Sequence, residues 1–135
     1  MNTIIFYGPA ASGKSYISNI MLESFVSAGL EVTRPIIIDT KKATNKVLGS
    51  LTMNNSLLTR KDVYIFEECT VDSIFRIYIS LKGQENMNGK TIIFLINQSD
   101  GVFEDFKFLL GPNQIHNIKF IKCTYGQGKK EVEND

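Results

Sequence analysis

Residues 3–15 read TIIFYGPAASGKS, and this stretch decides how the rest of the chain is arranged. Thr3 to Tyr7 is a short apolar run of strand character, ended by Gly8-Pro9. From about Lys14, the residues Ile17, Ile20, Met21, Phe25 and Ala28 recur at helical spacing until Gly29 stops the helix. Between the two, Gly8 to Ser15 matches G-x-x-x-x-G-K-[ST] in full, and it lies where that motif works, between a strand and the helix that follows it. Glycines let successive amides turn toward one anion, and a helix N-terminus adds partial positive charge. The expected phosphate cradle runs over Gly8, Pro9, Ala10, Ala11, Ser12, Gly13, Lys14, Ser15 and Tyr16. Lys14 is expected at the β and γ phosphates and Ser15 on Mg²⁺, with ATP the expected nucleotide.

Outward from this stretch, strand and helix patterns alternate, which argues for a parallel sheet covered by helices. A second strand covers about Val32 to Ile38, and Pro35 within it assigns that strand to a sheet edge. Ala43, Val47, Leu48 and Leu51 form one helical face, followed by the polar loop TMNNSLLTRKD. Val63 to Phe66 is the third strand, and Val71, Ile74, Phe75 and Tyr78 mark the helix after it. Thr91 to Ile96 is the fourth strand, and Val102, Phe103, Phe106, Leu109 and Leu110 give a last helix stopped by Gly111-Pro112. A fifth strand runs from about Asn117 to Cys123, and its two lysines suit the opposite edge. The expected organisation is one domain over residues 1–125 and a polar, frayed tail over 126–135.

Composition narrows the function classes. A formal net charge of +1 announces no polyanionic partner or membrane surface, so any nucleic-acid contact must be local. Cys69 and Cys123 stand apart without a CxxC or histidine-rich companion, which argues against a metal cluster and for reduced thiols in a cytoplasmic setting. No apolar run approaches the ~20 residues needed to span a bilayer. Twelve lysines against three arginines, with abundant Ile and Asn, suggest an A+T-rich genome.

Two further strand ends carry chemistry. DVYIFEECT, residues 62–70, ends a buried strand in Glu67 and Glu68. Ligands of parallel sheets bind at the carboxyl ends of strands, so this pair is expected to share a crevice with the phosphate loop. Glu67 would serve as metal ligand and Glu68 would polarise the attacking water; a solvated acidic pair closing a strand is the plainer alternative. TIIFLINQSD, residues 91–100, ends in Asn97 and Gln98. An amide here can donate to the γ-phosphate and accept from water, although Asn97, Ser99, Asp100 and Gly101 are also ordinary turn residues. His116 is a lone loop histidine, read as structural or solvated.

The succession of phosphate loop, extra strand, Glu-Glu strand, polar-tipped strand and final strand resembles the additional-strand, catalytic-glutamate division of P-loop NTPases over about residues 3 to 123. Its local words are most similar to the ATPase core of superfamily 3 helicases, the replication initiators of small DNA viruses. That resemblance implies a three-layer α/β sandwich with a five-stranded, mainly parallel sheet of RecA/AAA-like kind. It implies ATP hydrolysis with Mg²⁺ coupled to nucleic-acid handling, single-stranded DNA being favoured, with Lys14, Glu68 and Asn97 catalytic and Ser15 and Glu67 on the metal. It also implies a homo-oligomer, or a partner protein, supplying a cationic finger. The chain departs from the pattern in having no arginine near residues 104 to 118, which leaves Lys107 or Arg76 as candidates. Lys82-Gly83 is the candidate for a DNA-contacting loop. Phage assembly and packaging ATPases of the zonula-occludens-toxin type are similar in ending the fourth strand in glutamine, which would make Gln98 the sensor. Thymidine-kinase-like enzymes share the GPxxSGKS loop, but their zinc-stabilised lasso needs more than two cysteines.

Overall fold

The computed structural model describes residues 1–9, 12–33, 62–98, 100–124 and 131–134. The elements are β1 (Asn2–Gly8), α1 (Lys14–Ser27), β2 (Val32–Thr33), β3 (Val63–Cys69), α2 (Val71–Leu81), β4 (Thr91–Asn97), α3 (Val102–Leu110), β5 (Ile118–Thr124) and β6 (Glu131–Asn134). They form one sheet of strand order β2-β3-β4-β1-β5-β6. The pairings β1 with β4, β1 with β5, β2 with β3 and β3 with β4 are parallel. The phosphate-loop strand β1 is therefore central, and β4 stands between it and the Glu-Glu strand β3.

Central strands of a covered parallel sheet are buried on both faces and read as continuous apolar runs. Ile92 to Ile96 of β4 and Ile5 to Tyr7 of β1 are buried accordingly. Successive side chains point to opposite faces, so each strand contributes to two cores. On one face Ile5, Tyr7, Tyr64, Phe66, Phe94 and Phe120 pack with Ile74, Ile77 and Leu81 of α2 and Phe106 of α3. Phe66 and Phe94 stack at 5.3 Å, and Phe120 meets Phe103 edge-on at 5.3 Å. On the other face Phe6, Val63, Ile65, Ile93, Leu95, Ile121 and Cys123 meet Ile17, Met21, Leu22 and Phe25 of α1. The helices on the two faces make this an α/β sandwich.

Several sequence expectations change. Ile20, one of the apolar residues that recur at helical spacing in α1, is 46% exposed, while Ser18 is buried. At 3.6 residues per turn Ile20 lies about 200° around the helix from Ser18, and Leu22 takes its place against the sheet. The expected five-stranded sheet has six strands, because Glu131–Asn134 of the expected tail returns antiparallel beside β5. This removes β5 from the edge, where its lysines had placed it. An antiparallel return over a short connection pairs β5 backbone groups that a parallel partner could reach only through a long crossover. The register sets Lys122 opposite Glu133. β2 does lie at an edge, but Pro35, the helical face from Ala43 to Leu51 and nearly all of the polar loop fall outside the described residues. Among the described residues no helix is long and apolar enough to cross a membrane.

Candidate functional site

The phosphate loop begins where β1 meets β5. A Cβ on Gly8 would lie 2.3 Å from the Cys123 carbonyl oxygen and 2.7 Å from Ser12 Oγ, so only glycine lets the chain turn off β1 this close to its neighbour. Gly13 then adopts φ 94°, ψ 8° as the residue capping α1, left-handed backbone that glycine takes without strain. No side chain caps α1 and no acidic residue stands in its first turn, so the amides opening the helix keep their partial positive charge for an incoming anion. Ser15 and Tyr16 stand in that first turn, and the Tyr16 side chain is 59% exposed. Ala10 and Ala11 lie outside the described residues.

Lys14 is only 5% exposed. Its ammonium donates to the Gly8 carbonyl at 2.9 Å, to the Pro9 carbonyl and to Ser12 Oγ at 3.1 Å. An ammonium has three donors, and the loop accepts all three. An anion entering here would have to win this cation from the loop's own neutral oxygens, which a higher charge favours. Burial pushes the Lys14 pKa down, and the Cys123 thiol beside it pulls partly the other way. Cys123 shows the mirror effect, raised by burial and pulled back by Lys14.

The tips of β3 and β4 share this edge. Register pairs Gly8 with Asn97, and β3 lies one strand further on, roughly 10 Å from β1 at ordinary strand spacing. The β3/β4 register slips between Phe66, opposite Phe94, and Cys69, opposite Ile96. Two residues, Glu67 and Glu68, thus stand where β4 has only Leu95, a bulge that the sequence did not announce. Leu95 belongs to the α1-side core, whereas Phe66 and Cys69 both belong to the other. Alternation from Phe66 sets Glu67 toward the α1 side, the side on which the phosphate loop enters its helix. Glu67 is half-buried.

Asn97 is exposed at the tip of β4. Gln98 pairs with Gly8 through an isolated antiparallel bridge, and its Nε2 donates to the Asp100 carbonyl at 3.0 Å and to Asp105 Oδ2 at 3.2 Å. The two amides that the sequence leaves as rival sensors differ in their surroundings. Gln98 is tied to its own loop, and Asn97 presents its side chain outward. Lys82, the candidate DNA contact, instead donates to Gln114 and lines a cavity with Met1 and Asn2 at the far end of β1. His116 is exposed. Arg76 stands 4.0 Å from Asp72 on its own helix, and Lys107 is exposed on α3.

Mg²⁺ is implied by the resemblance, and the donor set suits it. Ser15 and Glu67 offer hard oxygens, and Mg²⁺ in phosphate sites takes one or two protein ligands, with phosphate and water completing the shell. Among the described residues no group of three His, Cys, Asp or Glu forms a dedicated metal cage.

No protein-family model matches the chain, and no curated protein matches it in sequence. Solved structures do match in fold. The flagellar accessory protein FlaH from Methanocaldococcus jannaschii superposes with a TM-score of 0.53 at 17% identity, over 99% of this chain and 76% of that one. AMPPCP-bound DnaA from Aquifex aeolicus gives 0.54 at 18% identity over 90% of this chain, which spans 40% of DnaA. The DnaC helicase loader gives 0.52 at 17% identity over 91% of this chain and 78% of the loader. At such identities the likeness establishes the fold alone, an α/β core of the P-loop NTPase kind, with β4 between β1 and the Glu-Glu strand.

Proposed function

We propose that this chain binds ATP with Mg²⁺ at Gly8 to Ser15 and hydrolyses it to drive nucleic-acid handling, with single-stranded DNA as the favoured partner. The observation that carries the reading is the buried Lys14 ammonium, held by the loop oxygens at the uncapped start of α1. Around it Lys14 and the amides from Ser12 to Tyr16 bind phosphate. Ser15 and Glu67 would hold the metal, which would neutralise phosphate charge when bound. Glu68 accepts a proton from the attacking water, and the exposed Asn97 amide orients that water against the γ-phosphate. The nucleic-acid assignment is supported by the helicase-like local words and by fold likeness to a helicase loader and a replication initiation factor. The absence of arginine from residues 104 to 118 favours a neighbour as the source of the missing cation, from Lys107 or Arg76 of a second copy or from another protein. A guanidinium delivered in this way raises phosphoryl transfer by roughly 10³ to 10⁵.

A protein-assembly partner is the second reading, favoured by the likeness to a flagellar accessory protein over nearly the whole chain. ATP turnover measured with and without single-stranded DNA, at several protein concentrations and beside a mass measurement of the assembly, separates the readings. The first expects turnover that rises with DNA and vanishes in Lys14→Ala. Turnover indifferent to DNA but rising with concentration favours assembly. Fast turnover by a dilute monomer without any addition defeats the borrowed cation.

A further inference from the structure

The residue that caps α3 offers it no side-chain oxygen. α3 starts at Gly101, left-handed at φ 75°, with no side-chain cap. A glycine in that conformation is a natural pivot, because nothing beyond the backbone resists its rotation. What spans the pivot is Gln98. Its main chain bridges to Gly8 of the phosphate loop, while its side-chain amide spends one hydrogen on the Asp100 carbonyl and the other on the Asp105 carboxylate. Asp105 is held in turn by its own amide, which donates to the Gly101 carbonyl at 2.8 Å. The result is a run of contacts from the phosphate loop through Gln98 to the first turn of α3.

Asn97 is the residue before Gln98 and pairs in register with Gly8. Its side-chain direction depends on the backbone at the end of β4, which the Gln98 contacts hold. We propose that Asp105 is a positioning residue that fixes Asn97 against the phosphate loop by clamping Gln98, so that the placement of α3 governs hydrolysis more than nucleotide binding. This rests on the ATPase reading above and on Asn97 as its water-orienting amide. The carboxylate does not touch nucleotide; it acts through Gln98. Oδ2 accepts a side-chain N–H here, a task that an asparagine oxygen can also perform. The negative charge near the start of α3, by contrast, is lost in asparagine. That difference separates a positioning role from a merely structural one.

The experiment compares Asp105→Ala, Asp105→Asn, Asn97→Ala and the double variant Asn97→Ala/Asp105→Ala. Asp105→Ala should lower kcat about tenfold with KM for ATP changed less than about twofold, the mark of an interaction felt in the transition state. Asp105→Asn should recover most of that loss. The double variant should be no slower than Asn97→Ala alone, because residues acting in series do not add. Unchanged kcat in Asp105→Ala, an additive loss in the double variant, or failure of asparagine to rescue each overturns the proposal. If the unmodified chain showed no turnover, the ATPase reading would fall by itself. The clamp is then read from solvent exchange of the Gln98 side-chain amide, slow in the parent and Asp105→Asn and fast in Asp105→Ala; equal exchange in all three sinks it.

Discussion

Two helices begin at the same edge of the sheet in opposite ways. α2 opens on Thr70, whose Oγ1 accepts the Ser73 amide at 3.2 Å while the Thr70 amide donates to Ser73 Oγ at 2.9 Å, and Asp72 adds negative charge to the first turn. This N-terminus is satisfied from within. α1 opens on a left-handed glycine with neither a capping side chain nor an acidic residue, and its nearest cation is folded under the loop. α3 also opens on a glycine but carries Glu104 and Asp105 in its first turn. Among the described helices one start is both uncapped and free of acidic residues, and it is the one that carries the G-x-x-x-x-G-K-S motif. Local stability and ligand affinity are thus kept on different helices.

The largest expected effects test whether the open end is the binding end. Glu68→Gln should slow hydrolysis by roughly 10² to 10⁴ while nucleotide binding persists, because the amide keeps the shape but not the basicity of the carboxylate. Single-turnover rates beside equilibrium binding check this, and a loss of binding equal to the loss of rate would remove Glu68 from the chemistry. Lys14→Ala should abolish turnover and weaken triphosphate affinity about ten- to a hundredfold, the worth of a charge-assisted hydrogen bond. Calorimetry on the variant checks it; unchanged affinity would end the contrast between the two helices.

A paired experiment sharpens the contrast at about 1 kcal/mol. Thr70→Ala should cost about 1 kcal/mol of stability, seen as a lower denaturation midpoint, and leave ATP affinity alone. Tyr16→Glu should do the reverse. A carboxylate in the first turn of α1 favours the helix dipole by about 0.3–1 kcal/mol yet repels the triphosphate, so the midpoint rises while affinity falls several-fold. If both variants moved the same property, the division between the helix starts would be lost.

The smallest effect concerns the neighbour of the open end. Burial raises the Cys123 pKa and the Lys14 ammonium partly offsets this. Lys14→Met keeps the apolar stem but removes the charge, so the thiol should rise further and its alkylation slow at fixed alkaline pH, measured with Cys69→Ser to isolate one thiol. The sign for stability follows. A thiol raised in the folded state ionises first in the unfolded chain, so its contribution is lost as pH climbs past its ordinary value of 9.0 and through the raised one.

The phosphate loop was legible because a local word, GPAASGKS, carries its own mechanism, and β1 and β4 because burial on both faces leaves nearly unbroken apolar runs. α2 and α3 were legible from spacing alone. What sequence did not carry is register. The extra residue at Glu67-Glu68 exists only relative to Leu95, and the closeness of Cys123 to Gly8 only relative to the β1/β5 pairing. Gln98 and Asn97 differ through contacts that spacing does not show, those of Gln98 with Gly8, Asp100 and Asp105, and Asp105 looked like any acid in a first turn. β6 resembled a charged tail because an edge strand needs no apolar run. The superfamily assignment, the roles of Ser15 and Glu68 and the nucleic-acid partner stay with the proposal above.

The strand order also has a meaning in time. Both partners of β1 come late in the chain, since Asn2 pairs with Thr91 and Thr3 with Ile118. Closing such long intervals costs entropy before any contact rewards it, so sheets of this kind assemble late. During synthesis β1 is made before either of its partners, and Gly8 cannot lean on the Cys123 carbonyl until β5 has left the ribosome. Nucleotide binding would then report that the sheet has closed: ATP added during refolding should bind only with the final folding phase and should draw the chain toward its finished state.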